Sequence, residues 1–243
     1  MLQCFLVMAM KAVILAAGRG KRMNHLTNET PKPLLTVKGK TLLRHKLDAL
    51  PREISEVIII VGYFGDKIRK HLGDSYGGRK ITYVEQGTLD GTAGALHAAK
   101  HLLQDGHFLV MMGDDLYGAA DISRMLLHPW ALLAERVKMP KRGARVVLGE
   151  GNRIERIEER AELTPGEYNN TGLYMLGPKF FEYPLVACSP DEFGLPQTLV
   201  QAVRDVSVRV VEATEWFQIT APEDILAAEK FLQKTSHDAT RVH

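Results

Sequence analysis

The sequence predicts an α/β fold in which helices flank a doubly wound, mostly parallel sheet, with a smaller β-rich part in the second half. Short apolar runs rich in β-branched residues alternate with amphipathic stretches, which is the pattern of βαβ units around a parallel sheet. The run EVIIIVG (residues 56–62) is apolar almost throughout, as expected of a strand covered on both faces. The 243 residues are enough for one such domain, with a core that needs no disulfides. We therefore expect a Rossmann-like architecture.

The first half of the chain contains four predicted strands separated by three predicted helices. The strands lie at residues 11–17, 56–62, 80–86 and 107–115, and the helices at residues 41–50, 66–72 and 92–103. The second of these strands is expected at the centre of the sheet, because its apolar side chains need cover on both faces.

The second half is less regular, and it begins with a predicted hairpin. The run RVVLGEGNRIERIEE (residues 145–159) resembles two strands around a turn at Gly151 and Asn152, which would break strict parallel order. Further strands are predicted at residues 169–176 and 206–213, and a closing helix at residues 222–233 with Pro222 in its first turn. Residues 235–243 are expected to be a frayed tail.

Composition restricts the classes of partner. The formal net charge of +2 leaves no surplus for gripping a nucleic acid, although local clusters of Lys and Arg could hold a small phosphorylated molecule. Cys4 and Cys188 are far apart and in no metal-binding or redox spacing, so we expect a reducing, cytoplasmic location.

The apolar opening of the chain is interpreted as a strand and not as a signal sequence. It lacks a basic start, and Lys11 interrupts it. Met10 is then a candidate natural start, with residues 1–9 as an upstream extension. No run of about 18 uncharged apolar residues occurs elsewhere, so no membrane span is expected.

A glycine loop follows the first predicted strand. In LAAGRGKRM (residues 15–23) Gly18 and Gly20 would let backbone amides approach phosphate oxygens, while Lys21, Arg22 and the later Lys32 of PKPL supply positive charge. A lone glycine pair is more often a sharp turn with solvated basic residues. The combination of loop and PKPL favours a phosphate site.

Two better-known phosphate motifs do not fit this loop. A P-loop needs four residues between its glycines and then Lys followed by Ser or Thr, whereas Gly18 and Gly20 are separated by one residue. A dinucleotide-binding fingerprint needs a third glycine where Met23 stands, and an acidic residue at the end of the second strand, where Gly62 and Tyr63 stand.

Asp114 is the candidate metal ligand. It ends the apolar run of residues 107–115, so its carboxylate should emerge at the same edge of the sheet as the glycine loop. There it could hold Mg²⁺, which prefers carboxylate and phosphate oxygens. The neighbouring Asp115 should point the other way in an extended segment. The alternative is that Asp114 serves only as a turn or cap residue.

The motifs LAAGRGKRM, PKPL, QGTLDGTAGAL (residues 86–96) and GDD (residues 113–115) together resemble the sugar-1-phosphate nucleotidylyltransferases, over about residues 11–232. The resemblance implies transfer of a nucleotidyl group from a nucleoside triphosphate to a sugar 1-phosphate, with release of pyrophosphate and with Mg²⁺ as cofactor. It implies catalytic roles for Arg22 and Lys32. The implied nucleotide-binding residues are Leu15, Ala16, Ala17, Gly18, Gly20, Gln86, Gly91 and Thr92.

The same resemblance divides the chain by function. One domain at residues 10–234 would hold a nucleotide-binding half at about residues 10–118 and a sugar-phosphate-binding half at about residues 119–234. LAAG in place of LAGG favours UTP or dTTP over GTP or ATP, with CTP open. Gln86 would read the pyrimidine edge, because an amide offers both a donor and an acceptor to an imide. A solvated polar residue at a strand end is the alternative for Gln86.

The resemblance also implies contacts from Asn170, Thr171 and Glu158 to the sugar phosphate. Glu158 lies in the charged run RIERIEER, so a solvated strand face is an equal alternative. Many members carry an acidic or Asn metal ligand near the end of the chain, where this chain has Gln218. A neutral oxygen adds no charge, so the metal should bind more weakly before the nucleotide is present.

Three other functions stay open from the sequence. A glycosyltransferase of related architecture could use GDD, but PKPL and the glycine loop argue against it. A cytidylyltransferase for phosphocholine or another alcohol phosphate differs in its nucleotide. A non-catalytic sensor of nucleotide-sugars is left open by Gln218. The sequence indicates no oligomeric state.

Overall fold

The computed structural model describes residues 10–239, with side chains described up to Gln233. The predicted extension at residues 1–9 lies outside the described residues, as do the last four residues of the predicted tail. Within residues 10–239 no helix is long and apolar enough to cross a membrane.

The described chain forms sixteen strands and six α-helices. The strands are β1 (Met10–Leu15), β2 (Thr36–Val37), β3 (Lys40–Thr41), β4 (Ile54–Val61), β5 (Ser75–Tyr76), β6 (Arg79–Glu85), β7 (Phe108–Met112), β8 (Leu116–Tyr117), β9 (Ala131–Arg136), β10 (Lys141–Leu148), β11 (Ile154–Leu163), β12 (Tyr168–Leu176), β13 (Ala187–Ser189), β14 (Glu192–Phe193), β15 (Arg209–Glu212) and β16 (Trp216–Phe217). The α-helices are α1 (Leu42–Ala49), α2 (Gly65–Leu72), α3 (Gly91–Ala98), α4 (Ala119–Met125), α5 (Leu195–Ala202) and α6 (Asp224–Ala239). Short 3₁₀ turns occupy Lys21–Thr27, Lys32–Leu34, Lys100–Leu102, Glu150–Asn152 and Pro178–Glu182.

One ten-stranded sheet organises the described residues. Its order is β11-β10-β12-β7-β1-β4-β6-β5, and β9 pairs with both β12 and β15. Strands β7, β1, β4 and β6 are parallel, whereas β12 runs antiparallel to β7 and the β10–β11 hairpin extends the sheet beyond it. The predicted α/β class is confirmed, including the hairpin that ends the parallel order.

Apolar layers cover both faces of the parallel strands. In β1, Val13 packs into the cluster on one face and Ile14 into the cluster on the other, because successive side chains of a strand point to opposite faces. Ile58 and Ile59 of β4 divide in the same way, and all four side chains have no exposed surface. Burial on both faces explains why these strands are apolar runs without alternation.

The closing helix departs from the sequence prediction at both ends. It begins at Asp224 and not at residue 222, because the Asp224 carboxylate accepts hydrogen bonds from the backbone amides of Thr220 and Ala221 and closes a turn ahead of the helix. It continues to Ala239, so residues 235–239 of the predicted tail are helical in the structure. No Gly or Pro occurs in residues 223–239 to stop the helix.

Strand β9 was not predicted from the sequence. Its residues ALLAER are good helix formers, but they pair with β12 on one side and β15 on the other. Tertiary pairing therefore overrides local propensity at this position.

Candidate active site

A cavity of about 1010 Å³ opens at the carboxyl ends of the parallel strands, the edge where open α/β sheets bind their ligands. Most of the predicted site residues lie in its wall. They are Leu15, Ala16, Ala17, Gly18, Gly20, Lys32, Gln86, Gly91, Thr92, Asp114, Asn170, Thr171 and Gln218. Arg22 and Glu158 are the two predicted residues that do not line it.

The glycine loop and Lys32 are packed directly against each other. Gly20 has a φ of 63°, a left-handed conformation that favours glycine. A Cβ at Gly20 would lie 3.0 Å from the Cβ of Lys32, so the absence of a side chain lets the two segments approach. The pairing of loop and PKPL in the sequence thus corresponds to a physical contact.

Lys32 joins the loop to the metal-ligand candidate. Only 5% of the residue is exposed, and its Nζ lies 2.6 Å from Oδ2 of Asp114. The same ammonium donates to the backbone oxygen of Ile219. Lys32 therefore points into the site and not into bulk water.

A close backbone approach brings Asp114 to the loop. The amide of Gly113 donates to the backbone oxygen of Leu15 at 2.9 Å, and a Cβ at Gly113 would lie only 2.5 Å from that oxygen. A larger residue would push the end of β7 away from the end of β1. Gly113 thus sets the distance between the ends of β1 and β7.

Asp115, which the sequence analysis expected to point away from the site, is also part of the cavity wall. It is 4% exposed, and its Oδ2 accepts a hydrogen bond from Nε1 of Trp216 at 3.2 Å. Burial, reinforced by the negative charge of Asp114, raises the pKa of Asp115 to about 8.

A buried lysine lies behind this pair of aspartates. Lys46 of α1 is 1% exposed, and its Nζ has no hydrogen-bond partner among the described residues. Burial lowers its pKa to about 8, although the charges of Asp114 and Asp115 act in the opposite direction. The sequence analysis missed Lys46, because an amphipathic helix gives no sign of which lysine turns inward.

The site suits a hard divalent cation only in part. Within residues 10–239 no three His, Cys, Asp or Glu side chains form a group that could hold a metal ion. Asp114 has a third of its side chain exposed to the cavity, and one or two carboxylates completed by substrate phosphates and water are the usual protein contribution to a Mg²⁺ site. The donor set therefore fits Mg²⁺ bound together with a triphosphate.

Gln218 reaches the cavity through a short strand pair. Strand β16 runs antiparallel to β8, with Phe217 opposite Leu116. Gln218 directly follows β16 and Asp115 directly precedes β8, so the antiparallel pairing carries the end of the chain to the GDD segment. Gln218 lines the same cavity as Asp114.

The side chains of Asn170 and Thr171 are already bonded within the protein. Nδ2 of Asn170 donates to the Tyr174 hydroxyl at 2.8 Å and its Oδ1 accepts from the Gly172 amide at 2.9 Å. Oγ1 of Thr171 donates to the backbone oxygen of Leu133 at 2.7 Å. These contacts hold the two side chains in place, and each side chain keeps hydrogen-bonding capacity that a ligand could use.

The structure places Glu159, and not Glu158, in the cavity wall. The Glu158 carboxylate is paired with Arg145 at 2.8 Å and with Arg156 at 2.9 Å, and both arginines hold its pKa below the usual range. A bulge in β11 puts residues 159 and 160 opposite the single residue 144 of β10, and Arg160 has a φ of 55°. The bulge re-aims Glu159 and Arg160 into the cavity.

Of the two loop cations that the sequence analysis named, Lys21 lines the cavity and Arg22 does not, and Arg19 lines it in addition. Arg22 is exposed. The sequence analysis also missed Glu192 and Gln197, which line the wall from β14 and α5. Neither residue carries a motif, so their positions follow from tertiary packing alone.

One family of known proteins matches nearly the whole chain. The model of the family described as nucleotidyl transferase matches residues 11–235. The chain is 31% identical over 246 residues to the UTP–glucose-1-phosphate uridylyltransferase AglF of Haloferax volcanii, covering 95% of this chain and 100% of that protein. It is 30% identical over 226 residues to the bifunctional protein GlmU of Methanocaldococcus jannaschii.

The GlmU match covers 92% of this chain but 54% of the relative, so the chain spans about half the length of that protein. A solved structure of a Bacillus anthracis protein, provisionally assigned as a glucose-1-phosphate thymidylyltransferase, superposes with a TM-score of 0.79. It has 24% sequence identity and covers 91% of this chain and 94% of that one. At that identity the likeness establishes the fold.

Proposed function

This chain belongs to the nucleotidyl transferase family, and we propose that it transfers a nucleotidyl group from UTP or dTTP to a sugar 1-phosphate, giving a nucleotide-sugar and pyrophosphate. The observation that carries the proposal is the contact between Lys32 and Asp114 at the mouth of the glycine loop. In this proposal the α-phosphate of a triphosphate lying over the loop would lie beside this cation and this carboxylate. The uridylyltransferase AglF, aligned over its whole length, supports UTP.

The reaction needs positioning and neutralisation of charge more than proton transfer. A sugar 1-phosphate oxygen is already an anion, so it can attack the α-phosphorus in line without a general base. Lys32 would bridge the two phosphates as the bond forms, and the loop amides would hold the departing pyrophosphate.

Arg22 is proposed to act on the pyrophosphate after the loop has closed. Its side chain is exposed and outside the cavity wall, next to Lys21, which lines it. A shift of the exposed loop toward a bound triphosphate would bring Arg22 to the charge that develops on the leaving group.

Asp114 and Gln218, which line the same cavity, are proposed to hold Mg²⁺. The ion would neutralise phosphate charge and orient the phosphates for displacement. The protein supplies one carboxylate and one neutral amide, so most of the remaining ligands would come from the nucleotide and water.

The acceptor half of the cavity is proposed to lie between the β10–β11 hairpin and β14. Glu159 and Glu192 offer carboxylates there, and Arg160 offers a guanidinium. Carboxylates suit the hydroxyl groups of a sugar, and a guanidinium suits its phosphate. Residues 10–234 are proposed to form one domain with a nucleotide half and an acceptor half.

A screen for pyrophosphate release tests the proposal. UTP, dTTP, CTP, ATP and GTP are each combined with a panel of sugar 1-phosphates and with phosphocholine, with and without Mg²⁺. The proposal expects pyrophosphate from UTP or dTTP with a sugar 1-phosphate, only when Mg²⁺ is added. Product from CTP and phosphocholine would identify an alcohol-phosphate cytidylyltransferase, and no product from any pair would favour a sensor.

A further inference from the structure

The side-chain amide of Gln86 is held in one orientation by two acceptors. Nε2 donates to Oδ1 of Asp90 at 2.8 Å and to the backbone oxygen of Gly91 at 3.1 Å. A carboxylate and a carbonyl can only accept from an amide, so the nitrogen and not the oxygen must face them. Both N–H groups are therefore engaged. The sequence analysis expected the amide nitrogen of Gln86 to be available as a donor to the base, but both of its hydrogens are already bonded within the protein.

Oε1 is the part of this amide that remains for a ligand. Gln86 lines the cavity, and among the described residues no hydrogen bond to its Oε1 is found. A base that contacts the side chain of Gln86 would therefore find Oε1, a hydrogen-bond acceptor.

Asp90 holds the amide of Gln86 in this orientation instead of capping its own helix. It occupies the N-cap position of α3, where an aspartate usually accepts from the first turn of its helix, yet its side chain makes no capping bond. Gly94 leaves the space that the carboxylate occupies, since a Cβ at that position would lie 1.9 Å from Oδ1 of Asp90. The carboxylate thus lies against Gly94 and accepts from Gln86 instead of capping the helix.

We propose that Asp90 is a positioning residue that selects uracil and thymine over cytosine by presenting Oε1 of Gln86 to ring nitrogen 3 of the base. The imide nitrogen of uracil or thymine carries a hydrogen and can donate, whereas the same nitrogen of cytosine carries a lone pair and would face another acceptor. A site built around one hydrogen bond rejects the analogue that cannot make it. This inference rests on the proposed binding of a nucleoside triphosphate.

Nucleotide binding, measured apart from turnover, tests the role of Asp90. Kd values for UTP, dTTP and CTP are determined by titration calorimetry with Mg²⁺ present, for the wild-type chain and for D90A, D90N and G94A. The wild-type chain should bind UTP at least about tenfold more tightly than CTP. In D90A the side-chain amide of Gln86 is free to turn its nitrogen toward cytosine. The ratio of the Kd for CTP to the Kd for UTP should therefore fall at least about threefold, because UTP binds more weakly and CTP binds equally well or more tightly.

The other variants separate orientation from a general structural role. D90N keeps an oxygen that accepts from Nε2 of Gln86, so it should restore most of the preference for UTP. G94A leaves Asp90 in the sequence but displaces its carboxylate, so it should resemble D90A. D74A removes an exposed carboxylate that does not line the cavity and should leave the ratio unchanged. Thermal melting by circular dichroism shows that each variant is folded.

Two outcomes would overturn the inference: a wild-type chain that binds CTP as tightly as UTP, or a D90A variant that loses both nucleotides in equal proportion. Failure of the proposed function looks different. If the Kd ratios of UTP and CTP are as expected but no pyrophosphate is released, catalysis is rejected and the role of Asp90 stands. If pyrophosphate is released but the Kd ratio is unchanged in D90A, the proposed function stands and the role of Asp90 is rejected.

Discussion

The ammonium of Lys32 lies 2.6 Å from the carboxylate of Asp114, although 82 residues separate them in the sequence. Each group neutralises the other in the free protein, which makes it less costly to bury a lysine that is 5% exposed. A triphosphate would replace the carboxylate as the partner of Lys32, and a metal ion would replace the ammonium as the partner of Asp114. The two binding events should therefore assist each other.

Replacing Lys32 by methionine should lower kcat about 100-fold or more while changing the KM for the triphosphate much less, because its charge acts mainly as the new bond forms. Steady-state pyrophosphate release measures both constants. K40M removes an exposed lysine that pairs with Asp48 at the surface, and it should leave both constants unchanged. A rise in KM alone would place Lys32 in nucleotide binding and not in catalysis.

Replacing Asp114 by asparagine should raise the Mg²⁺ concentration required for half-maximal activity about tenfold or more, since the site loses its exposed carboxylate. A magnesium titration at saturating nucleotide gives this concentration. D74N removes a similar charge from an exposed surface position and serves as the control. An unchanged magnesium requirement in D114N would show that another group binds the ion.

Replacing Gln218 by aspartate should have the opposite effect. A second carboxylate near Asp114 adds negative charge to the metal site, so half-maximal activity should occur at several-fold less Mg²⁺. Q197D adds the same charge to the cavity wall from α5 and should not reproduce the shift. Equal shifts in Q218D and Q197D would mean that only the net charge of the cavity matters.

Replacing Lys46 by methionine should stabilise the protein at pH 7, by about 1 kcal/mol or more, because no described residue gives the buried ammonium a hydrogen bond that would offset its desolvation. The native pKa of Lys46 is about 8, below the ordinary value of 10.5. Between these two values the unfolded chain holds a proton that the native chain has lost, so the contribution of Lys46 to stability rises with pH in this window.

The advantage of K46M should accordingly shrink as the pH rises from 8 toward 10.5. Urea unfolding followed by circular dichroism at several pH values measures the free-energy difference between K46M and the wild-type chain. K40M, at an exposed position, provides the control. A K46M variant that is less stable at pH 7 would indicate that the ammonium is paired with Asp115 in solution.

The sequence predicted the parts of the site that follow from regular geometry. Strand ends of a parallel sheet share one edge, so the loop after β1 and Asp114 after β7 could be placed together before any coordinates existed. The sequence could not show that Glu159 and not Glu158 faces the cavity, because this depends on a bulge in β11 that no sequence pattern indicated. It also could not show that Asp90 uses the donors of Gln86, since that depends on the space above Gly94.

The pairing of β12 with β7 joins the two halves of the chain through one continuous ladder, with Leu173 opposite Met111 and Leu176 opposite Phe108. A hinge between the halves would have to break these backbone bonds, so the ends of β7 and β12 at the cavity should keep their relative positions throughout turnover. Adjustment to different acceptors is then left to the rim, where β13 and β14 form a separate two-stranded ribbon. Exchanging the β13–β14 ribbon between relatives should change which acceptor is used and leave the nucleotidyl-transfer step itself unchanged.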